Sequence, residues 1–514
     1  MAELKPIIIQ GPLLGWGKGD FTQSNSAAIE AKEGAYSQSN SVSLFRLGKV
    51  GHIAPGETFT ALSDASTRVN GLPLNGVVAS NREAFVYIDT ARVVQFGLAD
   101  LVIDAHRQVA LAGGHAAHTT LSGTDCDVFA YKNATDEYIL YSWNDNTDGD
   151  IGRMLKDGSS PDDDWASTVL IPSNGTTLTA GFPHKIALGP DNCIYITNGQ
   201  YLAYHQPNST TINYQKLDLG FGWVATDLDV DGNYLIISAY KATLNTTSYS
   251  AGEAKVFYWD TIKSSYNFPI DLQDNYVSAL QVNNGTVYAF TYGRNLTAKV
   301  KVRNGSVFDT VFESVQIGVA PRQGATDVFQ NMIHYGTVGS IHAVDGDAFH
   351  FRTSATTNGS TIPDDIGMVK NLSQNILFVG RRTSSTYSIV KIDYVGYHIN
   401  ADFRTRLYPT PYKSNIDKII VYFSQFGTGA SVRFSLFKDY KDVTPGTNDE
   451  LDLTVTNATY GAISSINLAT VSGWKTITDV NNFCMNLRFN HASSSNTAAI
   501  IQRIEVYLST TGKS

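Results

Sequence analysis

The sequence predicts an all-β protein, and three observations carry this prediction. Ala187–Tyr204 reads as three short strands, with an Asn-Gly turn before the last of them. Asn-Gly favours a two-residue hairpin because a type I′ turn needs a positive φ at both central residues. Looser copies of this pattern recur roughly every 45–55 residues, a spacing typical of β-propeller blades. Only 17% of the residues are charged, while 27 are Tyr and 24 are Phe, which favours strands. The looser copies are Leu228–Ser238, Leu280–Tyr292, Ile341–Phe351 and Leu372–Val379.

The 514 residues are too many for one hydrophobic core, and changes of pattern divide them into three parts. Residues 1–60 are predicted to form an extended arm and a lead-in. Residues 61–398 are predicted to form a β-propeller of about seven blades, the unit that this repeat length indicates. Residues 399–514 are predicted to form a C-terminal antiparallel β-sandwich. Pro409 and Pro411 are expected to interrupt strand formation near the second boundary.

The arm has little periodicity, yet it carries apolar residues and few charges. Ile7–Ile9 and Trp16 are its strongest apolar features. Ordering a residue costs about 1–2 kcal/mol of backbone entropy, and burying such a side chain returns about 1.5–3 kcal/mol. We therefore expect these residues to anchor the arm on a neighbouring subunit or another protein. Deleting residues 1–41 is expected to leave a folded propeller.

The propeller segment contains strand-like runs in a regular order. Ala84–Ile88 and Arg92–Phe96 come first, and Asp125–Trp143 reads as a hairpin. Asn144–Asp164 is polar and acidic, which indicates a surface excursion. A closed ring of sheets buries both faces of each sheet and leaves only short edges. We expect a strand from near the start of the segment to complete the last blade. Further blades are predicted near Ala187–Leu217, Val224–Trp259, Val277–Phe312, Phe329–Arg352 and Met368–Ile392.

After the second boundary the alternation of apolar and polar residues predicts an antiparallel sandwich. About eight strands are expected in these roughly 110 residues, and five of them are clear from the alternation. They are Lys418–Phe423, Ala430–Phe437, Leu451–Val455, Phe483–Phe489 and Ala499–Tyr507.

Charge and composition argue against several classes of protein. The net charge is −9 without any run of Lys or Arg, so we expect no nucleic-acid binding. No apolar run approaches the ~20 residues of a membrane helix, so we expect no membrane insertion. The N-terminus lacks the features of a signal peptide. Cys126, Cys193 and Cys484 share no CxxC spacing and predict neither a zinc site nor a disulfide framework.

Ten Asn-x-Ser/Thr triplets occur, and without a signal peptide we interpret them as turn chemistry rather than glycosylation sites. Their asparagines are Asn133, Asn174, Asn208, Asn245, Asn284, Asn295, Asn304, Asn358, Asn371 and Asn457.

Two patterns raise the question of a metal, and for both we favour a structural interpretation. His106, His115 and His118 are close in sequence, but the Gly113-Gly114 pair indicates a loop and no HExxH spacing is present. Asp227, Asp229 and Asp231 precede Gly232 as in a calcium loop. The twelfth position is Ser238 where such a loop has Glu, and the pattern also fits a strand that runs into an Asp-Gly turn. Asn144–Asp150 is also rich in Asp and Asn, and there too we favour a solvated surface excursion over a cation loop. We predict no metal and no cofactor.

The sequence also predicts that the protein is not an enzyme. A sialidase-type propeller needs three clamping arginines with a Tyr and acids, and the tight arginine groups are Arg381-Arg382 and Arg404 with Arg406. No Asp-box is present. Asp162–Asp164 lie beside Trp165, a combination that suits glycan binding, although an acidic surface loop is the commoner structure. No catalytic motif occurs in a convincing context, so we name no catalytic residue.

Three C-terminal segments and the lead-in resemble a known family. Lys418–Phe423 reads KIIVYF, Gly429–Phe434 reads GASVRF, Ile501–Tyr507 reads IQRIEVY, and the arm ends in Phe45–Lys49, FRLGK. These segments resemble the terminal module and the lead-in of tail-associated structural proteins of tailed bacteriophages.

The resemblance implies a structural component of a virion, in the tail, the neck or the host-facing end. It implies contacts with other virion proteins, a homo-oligomer in a symmetric assembly, and synthesis in the host cytoplasm. A host surface glycan is a further partner to test. The alternative is a glycan-binding or glycan-cleaving propeller with an accessory sandwich. Oligomeric state, virion association and glycosidase activity would discriminate between the two.

Overall fold

The computed structural model confirms an all-β chain built from many small antiparallel sheets. The two helices of the described residues have four residues each, α1 at Trp165–Thr168 and α2 at Asn457–Tyr460. No helix among these residues is long and apolar enough to span a membrane. The structure describes residues 6–10, 36–40, 42–43, 54–55, 57–61, 71–78, 84–88, 92–99, 102–110, 127–144, 149–156, 162, 165–173, 177–242, 252–293, 297–313, 321–337, 340–345, 348–354, 365–373, 376–397, 400–439, 449–490 and 498–510.

The N-terminal 61 residues contribute five short strands. They are β1 (Ile7–Gln10), β2 (Tyr36–Asn40), β3 (Val42–Ser43), β4 (Ala54–Pro55) and β5 (Glu57–Ala61).

The middle of the chain forms seven consecutive small sheets, numbered here in chain order. Sheet 1 has β6 (Asn75–Val78), β7 (Ala84–Ile88), β8 (Arg92–Ala99) and β9 (Val102–Ala110). Sheet 2 has β10 (Asp127–Lys132), β11 (Glu137–Asn144) and β12 (Gly149–Leu155). Sheet 3 has β13 (Ile171–Pro172), β14 (Ile186–Leu188), β15 (Ile194–Asn198), β16 (Tyr201–His205) and β17 (Thr211–Asp218), in the order β13-β17-β16-β15-β14.

The next four sheets have four strands each. Sheet 4 has β18 (Trp223–Asp231), β19 (Tyr234–Ala242), β20 (Gly252–Trp259) and β21 (Phe268–Asp271). Sheet 5 has β22 (Tyr276–Asn283), β23 (Thr286–Tyr292), β24 (Ala298–Asn304) and β25 (Val307–Glu313). Sheet 6 has β26 (Thr326–Phe329), β27 (Met332–Thr337), β28 (Ser340–Asp345) and β29 (Ala348–Ser354). Sheet 7 has β30 (Asp365–Ser373), β31 (Ile376–Thr383) and β32 (Thr386–Tyr397), and its fourth strand is β5, in the order β30-β31-β32-β5.

The fourth strand of sheet 7 confirms one specific expectation. β5 precedes every other strand of the seven sheets in the sequence, and it completes the last of them. The last sheet is therefore completed by a strand from near the start of the segment, as the sequence analysis predicted.

The hairpin turns are tight because glycine and asparagine supply positive φ angles. In the hairpin of β22 and β23, Asn284 (φ 50°) and Gly285 (φ 75°) form the two-residue loop between the paired Asn283 and Thr286. In the hairpin of β15 and β16, Asn198 pairs with Tyr201, so Gly199 (φ 62°) is the first loop residue. The Asn-Gly turn predicted there lies one residue further along the chain than expected.

In each of sheets 3, 4 and 5, one inner strand is buried on both faces. These strands, called the second strands below, are β15, β19 and β23. Leu235 and Ile237 of β19 pack on sheet 3, in a cluster with Tyr195 and Leu202. Ile236, between them, packs in a cluster with Val287 and Ala289 of sheet 5. Successive side chains of a strand point to opposite faces, so sheets 3, 4 and 5 stack face to face in chain order. Sheet 2 joins sheet 3 in the same way through Leu140 and Ile194.

The C-terminal strands form one branched, nine-stranded sheet together with β1 and β2. The long strands β34 and β38 exchange partners along their length, which joins all the strands into one network. The C-terminal strands are β33 (Asn400–Thr405), β34 (Tyr408–Phe426), β35 (Ser431–Lys438), β36 (Leu451–Thr456), β37 (Ser465–Asn467), β38 (Ile477–Asn490) and β39 (Ala499–Thr510).

The expectation that Pro409 and Pro411 interrupt strand formation is wrong. Both prolines lie inside β34, because the strand tolerates them where its pairing with β38 is irregular. The register shifts between Pro409 and Ser414, so the missing N–H donors fall in the irregular segment.

Two strands of the arm border the C-terminal sheet. β1 pairs with β39 along Ile7–Gln10 and Arg503–Val506, and β2 pairs with β33. Ile9 is only 1% exposed. Ile7–Ile9 thus has a partner strand in its own chain, while Ile8 is 51% exposed, and the expected anchoring on another subunit stays a prediction. Trp16, the second expected anchor, lies outside the described residues.

Packing divides the chain into two compact units. Unit 1 comprises Met1–Thr60, Ser340–Ile362 and Ile392–Ser514, and unit 2 comprises Ala61–Gly339 and Pro363–Lys391. Residues 340–362 thus belong to the same unit as the C-terminal strands. The three-part division at residues 60 and 398 remains a prediction.

Candidate functional site: a polar cavity among the first strands

The candidate site is a cavity of about 360 Å³ that lies entirely within unit 2. One edge strand of each of the seven sheets contributes to its wall, and these edge strands are called the first strands below. These strands are β6, β10, β14, β18, β22, β26 and β30. The polar lining residues are Asn75, Asp127, Lys185, Asp227, Asp229, Gln281, Gln323, Thr326 and Lys370, and the larger apolar ones include Phe129, Ile186, Leu188 and Leu280.

A repeated aspartate bridge connects neighbouring first strands. In sheet 4, Asp227 Oδ1 accepts the N–H of Leu228 at 3.0 Å, and Oδ2 accepts the N–H of Leu280, in β22, at 2.8 Å. Asp229 repeats the arrangement two residues later, with Val230 at 2.8 Å and Val282 at 2.7 Å. Each carboxylate therefore joins its own strand to the first strand of the next sheet.

The same bridge occurs in two other sheets. Asp127, in β10, accepts the N–H of Ile186, in β14, at 2.8 Å. Asp327, in β26, accepts the N–H of Asn371, in β30, at 2.8 Å. A carboxylate that accepts two backbone N–H groups satisfies donors that would otherwise be buried without partners. The bridges are thus structural elements of the cavity wall.

Asp127 is the most heavily coordinated carboxylate of the cavity. Its Oδ1 accepts hydrogen bonds from Asn75 Nδ2 and from the backbone N–H of Val128, and Lys185 Nζ lies 3.2 Å away. Lys185 is 7% exposed and Asp127 is 2% exposed. Charge compensation explains how both groups can be buried.

Burial affects the acidity of the two aspartates of β18. It raises the pKa of Asp227 to about 7, against the opposing effects of Lys185 and the two N–H donors. Burial likewise raises the pKa of Asp229 to about 6, where Asp327 adds a repulsive charge. Desolvation disfavours the charged carboxylate, so these groups take up protons at a higher pH than ordinary aspartates.

Several polar groups of the cavity retain hydrogen-bonding capacity among the described residues. The ammonium of Lys185 has three donors and contacts one acceptor, Asp127. Gln281 Oε1 accepts a long hydrogen bond of 3.4 Å from Thr326, which leaves the amide Nε2 free. The side chain of Gln323 takes part in no hydrogen bond within this part of the chain. Lys370 Nζ lies 3.7 Å from Asp327.

The DxDxDG pattern proves to be a strand and a turn. Asp231 pairs with Tyr234 across the two-residue loop that begins at Gly232 (φ 60°), and Asp231 Oδ2 accepts a 2.6 Å hydrogen bond from Arg303. Ser238 lies opposite Asp227 in the hairpin. Within the described ranges, no group of three or more His, Cys, Asp or Glu side chains is arranged to hold a metal.

The other candidate residues lie elsewhere or outside the described residues. Asp162 pairs with Arg153 through backbone hydrogen bonds, and Trp165 is buried. Asp163, Asp164, His115 and His118 lie outside the described residues, and nothing is described of the His106 side chain. Of the stretch Asn144–Asp150, Asp150 is buried and accepts hydrogen bonds from Ile151 and Ser167.

The arginines of the two tight groups are buried or partly buried. Arg381 is only 6% exposed and donates to Ser388 Oγ at 3.2 Å, and burial lowers its pKa. Its burial follows from its place in β31, an inner strand of its sheet. Arg382 lies beside it in β31 and is partly buried, Arg404 is buried in β33, and Arg406 follows that strand.

The described asparagines of the Asn-x-Ser/Thr triplets include turn residues, but the turn interpretation is wrong for Asn371, which lies inside β30. Cys193 and Cys484 are buried free thiols, whereas Cys126 lies outside the described residues. Asn133 Oδ1 accepts the N–H groups of Thr135 and Asp136, and Asn208 has a φ of 71°. Both are turn positions, as predicted.

Sequence reasoning missed Lys185, Gln281 and Gln323 because nothing local marks them. One signal was available for the bridges. Asp-Val-Phe occurs twice, at 127–129 and at 327–329, each time at or near the start of a first strand. An Asp at such a position, followed by apolar residues, corresponds here to a bridging carboxylate.

Comparison with known proteins yields partial structural likenesses only. No protein-family model and no curated protein matches the sequence. Similar solved structures include Drosophila semaphorin 1a, extracellular domains 1–2, at 9% identity and a TM-score of 0.41, covering 66% of this chain and 88% of that one. Another is the PQQ-bound aldose sugar dehydrogenase of Streptomyces coelicolor, at 11% identity and a TM-score of 0.36, covering 66% and 99%. A third is the N-terminal domain of Nup159, at 11% identity and a TM-score of 0.37, covering 66% and 98%. At these TM-scores the likenesses carry no argument about this chain.

Proposed function

We propose that the protein is a structural component of a bacteriophage virion, located in the tail, the neck or the host-facing end. It acts in assembly or attachment through contacts with other virion proteins, as a homo-oligomer in a symmetric assembly. It is made in the host cytoplasm and has no enzymatic activity.

The observation that carries this proposal is the arrangement of the segments that resemble phage tail proteins. Lys418–Phe423 lies in β34 and Ile501–Tyr507 in β39, and these strands pair directly, with Ile420 opposite Glu505. The segment at Gly429–Phe434 leads into β35, which belongs to the same sheet. Ile420 and Glu505 are 85 residues apart in sequence, so distant segments meet in one sheet, which supports reading them together as one module.

The architecture that goes with this function is a seven-bladed propeller and a C-terminal sandwich. Sheets 1–7 would be the blades, since their first strands share one cavity and the central sheets stack in chain order. The strands β33–β39 would form the sandwich, with β34 and β38 passing between its layers, as long strands do at the corners of such folds.

The absence of catalysis is proposed because the buried carboxylates already have structural partners. Each of Asp227 and Asp229 accepts two backbone N–H groups, and Asp127 is bound by Asn75, Lys185 and Ile186. A general acid or base needs a carboxyl within reach of the substrate proton. Carboxylates that hold two strands together are poor candidates for that role.

The test is the composition of purified particles of the phage that encodes this chain. We expect mass spectrometry to find the protein in density-purified virions at a copy number set by the symmetry of the particle. Particles assembled without it should fail to form or fail to attach. The proposal would be overturned if the protein were absent from virions, or if the purified protein hydrolysed model glycosides with saturable kinetics.

A further inference from the structure

We propose that the cavity among the first strands binds one sugar unit through its hydroxyl groups. The proposed role in the virion gives this cavity no function. Its interpretation as a contact with a host surface glycan rests on the proposed function, whereas the binding itself does not.

The first argument is the position and size of the cavity. Its volume of about 360 Å³ lies near the lower end of the range of ligand pockets, about 300–1,000 Å³. All seven first strands form its wall, so backbone-paired strands of unit 2 define its shape. The volume suits a ligand of one or two small rings rather than an extended chain.

The second argument is the set of donors and acceptors that remain available. Lys185, Gln281, Gln323 and Lys370 offer N–H donors that other described residues do not saturate. Each oxygen of Asp227 accepts one backbone hydrogen bond, which leaves a second lone pair on each. A ligand must therefore both accept and donate hydrogen bonds, and a hydroxyl group does both.

The third argument is the charge of the lining. Asp127, Asp227 and Asp229 line the cavity together with Lys185 and Lys370, so the wall carries both signs of charge. A strongly charged ligand would leave one set of side chains uncompensated. A neutral polyol satisfies both signs.

The fourth argument is the apolar part of the wall. Phe129, partly buried, and Leu188, 39% exposed, line the cavity together with Ile186 and Leu280. A sugar ring has a C–H face as well as a hydroxyl edge, and an aromatic or aliphatic surface beside polar groups suits both. Ligand pockets generally combine such an apolar lining with a few placed polar groups.

The experiment is a binding panel on the full-length protein, measured by saturation-transfer NMR and calorimetry. The probes are methyl glycosides of glucose, galactose, mannose and N-acetylglucosamine, an oligosaccharide ending in the best of them, inorganic phosphate, spermidine and calcium chloride. We expect saturable binding of at least one methyl glycoside. Oligosaccharide binding equal to or tighter than that of the glycoside indicates a terminal glycan unit, and glycoside binding alone indicates a free sugar.

The variant Gln281→Ala/Gln323→Ala tests the site. Neither amide has a strong partner in the described structure, so the fold should persist, and circular dichroism checks this. We expect the affinity for the glycoside to fall about tenfold or more, the effect of losing hydrogen bonds to a ligand. The matched control is Gln215→Ala, an exposed glutamine of β17, which should bind like the original protein.

Three outcomes would overturn the proposal. They are no binding of any glycoside, unchanged affinity in the double variant, and binding of only phosphate, spermidine or calcium. None of these outcomes bears on whether the protein is present in virions, so failure here is distinguishable from failure of the proposed function.

Discussion

At the scale of single residues, the carboxylates of the first strands have the clearest role. Asp227 and Asp327 each connect two strands that are far apart in the sequence. Each also caps the N–H of the residue that follows it. Such a carboxylate stabilises the fold by accepting backbone N–H groups. Its removal leaves those donors without an acceptor, which costs more free energy of unfolding than the loss of one contact.

The first prediction concerns Asp327→Ala. It leaves the partly buried backbone N–H groups of Val328 and Asn371 without their acceptor, at about 1–3 kcal/mol for each donor. We expect urea denaturation to show a loss of about 2–4 kcal/mol in the free energy of unfolding. The control Asp309→Ala removes an exposed carboxylate that binds only Asn304, and should change stability by less than about 0.5 kcal/mol. Equal effects of the two substitutions would contradict the bridging role.

The second prediction concerns pH. Burial raises the pKa of Asp227 from 3.8 to about 7, so between these values the folded state binds more protons than the unfolded state. The free energy of unfolding should therefore decrease as the pH rises from about 4 to about 7, by at most about 1.4 kcal/mol per pH unit for one group. Asp229, with a pKa of about 6, adds to the same slope.

The measurement is chemical denaturation at several pH values in the range 4–8. Asp227→Asn removes one titrating group, so the slope should become shallower, although the overall stability also falls. The exposed Asp417→Asn is the control and should keep the original slope. An unchanged slope in Asp227→Asn would show that this carboxyl does not titrate in the window.

At the scale of elements, the two arm strands close the ends of the C-terminal sheet path. The order runs from β1 through β39, β34, β38 and β33 to β2. Exposed sheet edges promote association with other strands, and proteins generally cover them. The arm thus covers two sheet edges of its own chain, whereas the sequence predicted only that it packs on a partner.

The third prediction concerns deletion of residues 1–10. This deletion removes β1 and exposes the edge of β39, so we expect concentration-dependent self-association by light scattering. Deletion of residues 1–5 is the matched control, because it leaves Ile7–Gln10 in place. A monodisperse protein after the longer deletion, indistinguishable from the shorter one, would show that β1 does not protect the edge.

At the scale of the whole molecule, the stacked sheets of unit 2 share their cores. The strands β15, β19 and β23 have five consecutive buried residues each, whereas β17 and β25 alternate between buried and exposed positions. The second strands therefore depend on the neighbouring sheets on both sides. Fully burying one of their large apolar side chains contributes about 1.5–3 kcal/mol.

The fourth prediction follows from this difference in burial. In hydrogen exchange measured by mass spectrometry, peptides from β15, β19 and β23 should exchange most slowly, at rates set by global unfolding. Peptides from β17 and β25 should exchange faster through local opening. Equal protection of both sets, or faster exchange in the second strands, would be inconsistent with face-to-face stacking.

Local sequence patterns were sufficient to predict many strands and several turns. Five C-terminal strands and the hairpins around Asn284 and Gly232 were predictable in this way. These features are local, because strand patterning has a period of two residues and tight turns depend on the φ preferences of Gly and Asn. The prediction failed at the prolines of β34. The expectation that proline interrupts a strand does not take into account that the pairing of β34 with β38 is irregular there.

Contacts between residues far apart in the sequence became visible only in the folded structure. Asp227 and Leu280 are 53 residues apart, Asp127 and Ile186 are 59 apart, and Ile8 pairs with Glu505 near the opposite end of the sequence. The DxDxDG pattern favours a strand and a turn over a cation loop, but only the packed sheets show that Asp227 and Asp229 accept the N–H groups of Leu280 and Val282. Such partners follow from how the sheets pack, since a hydrogen bond between distant strands leaves no periodic trace in either one.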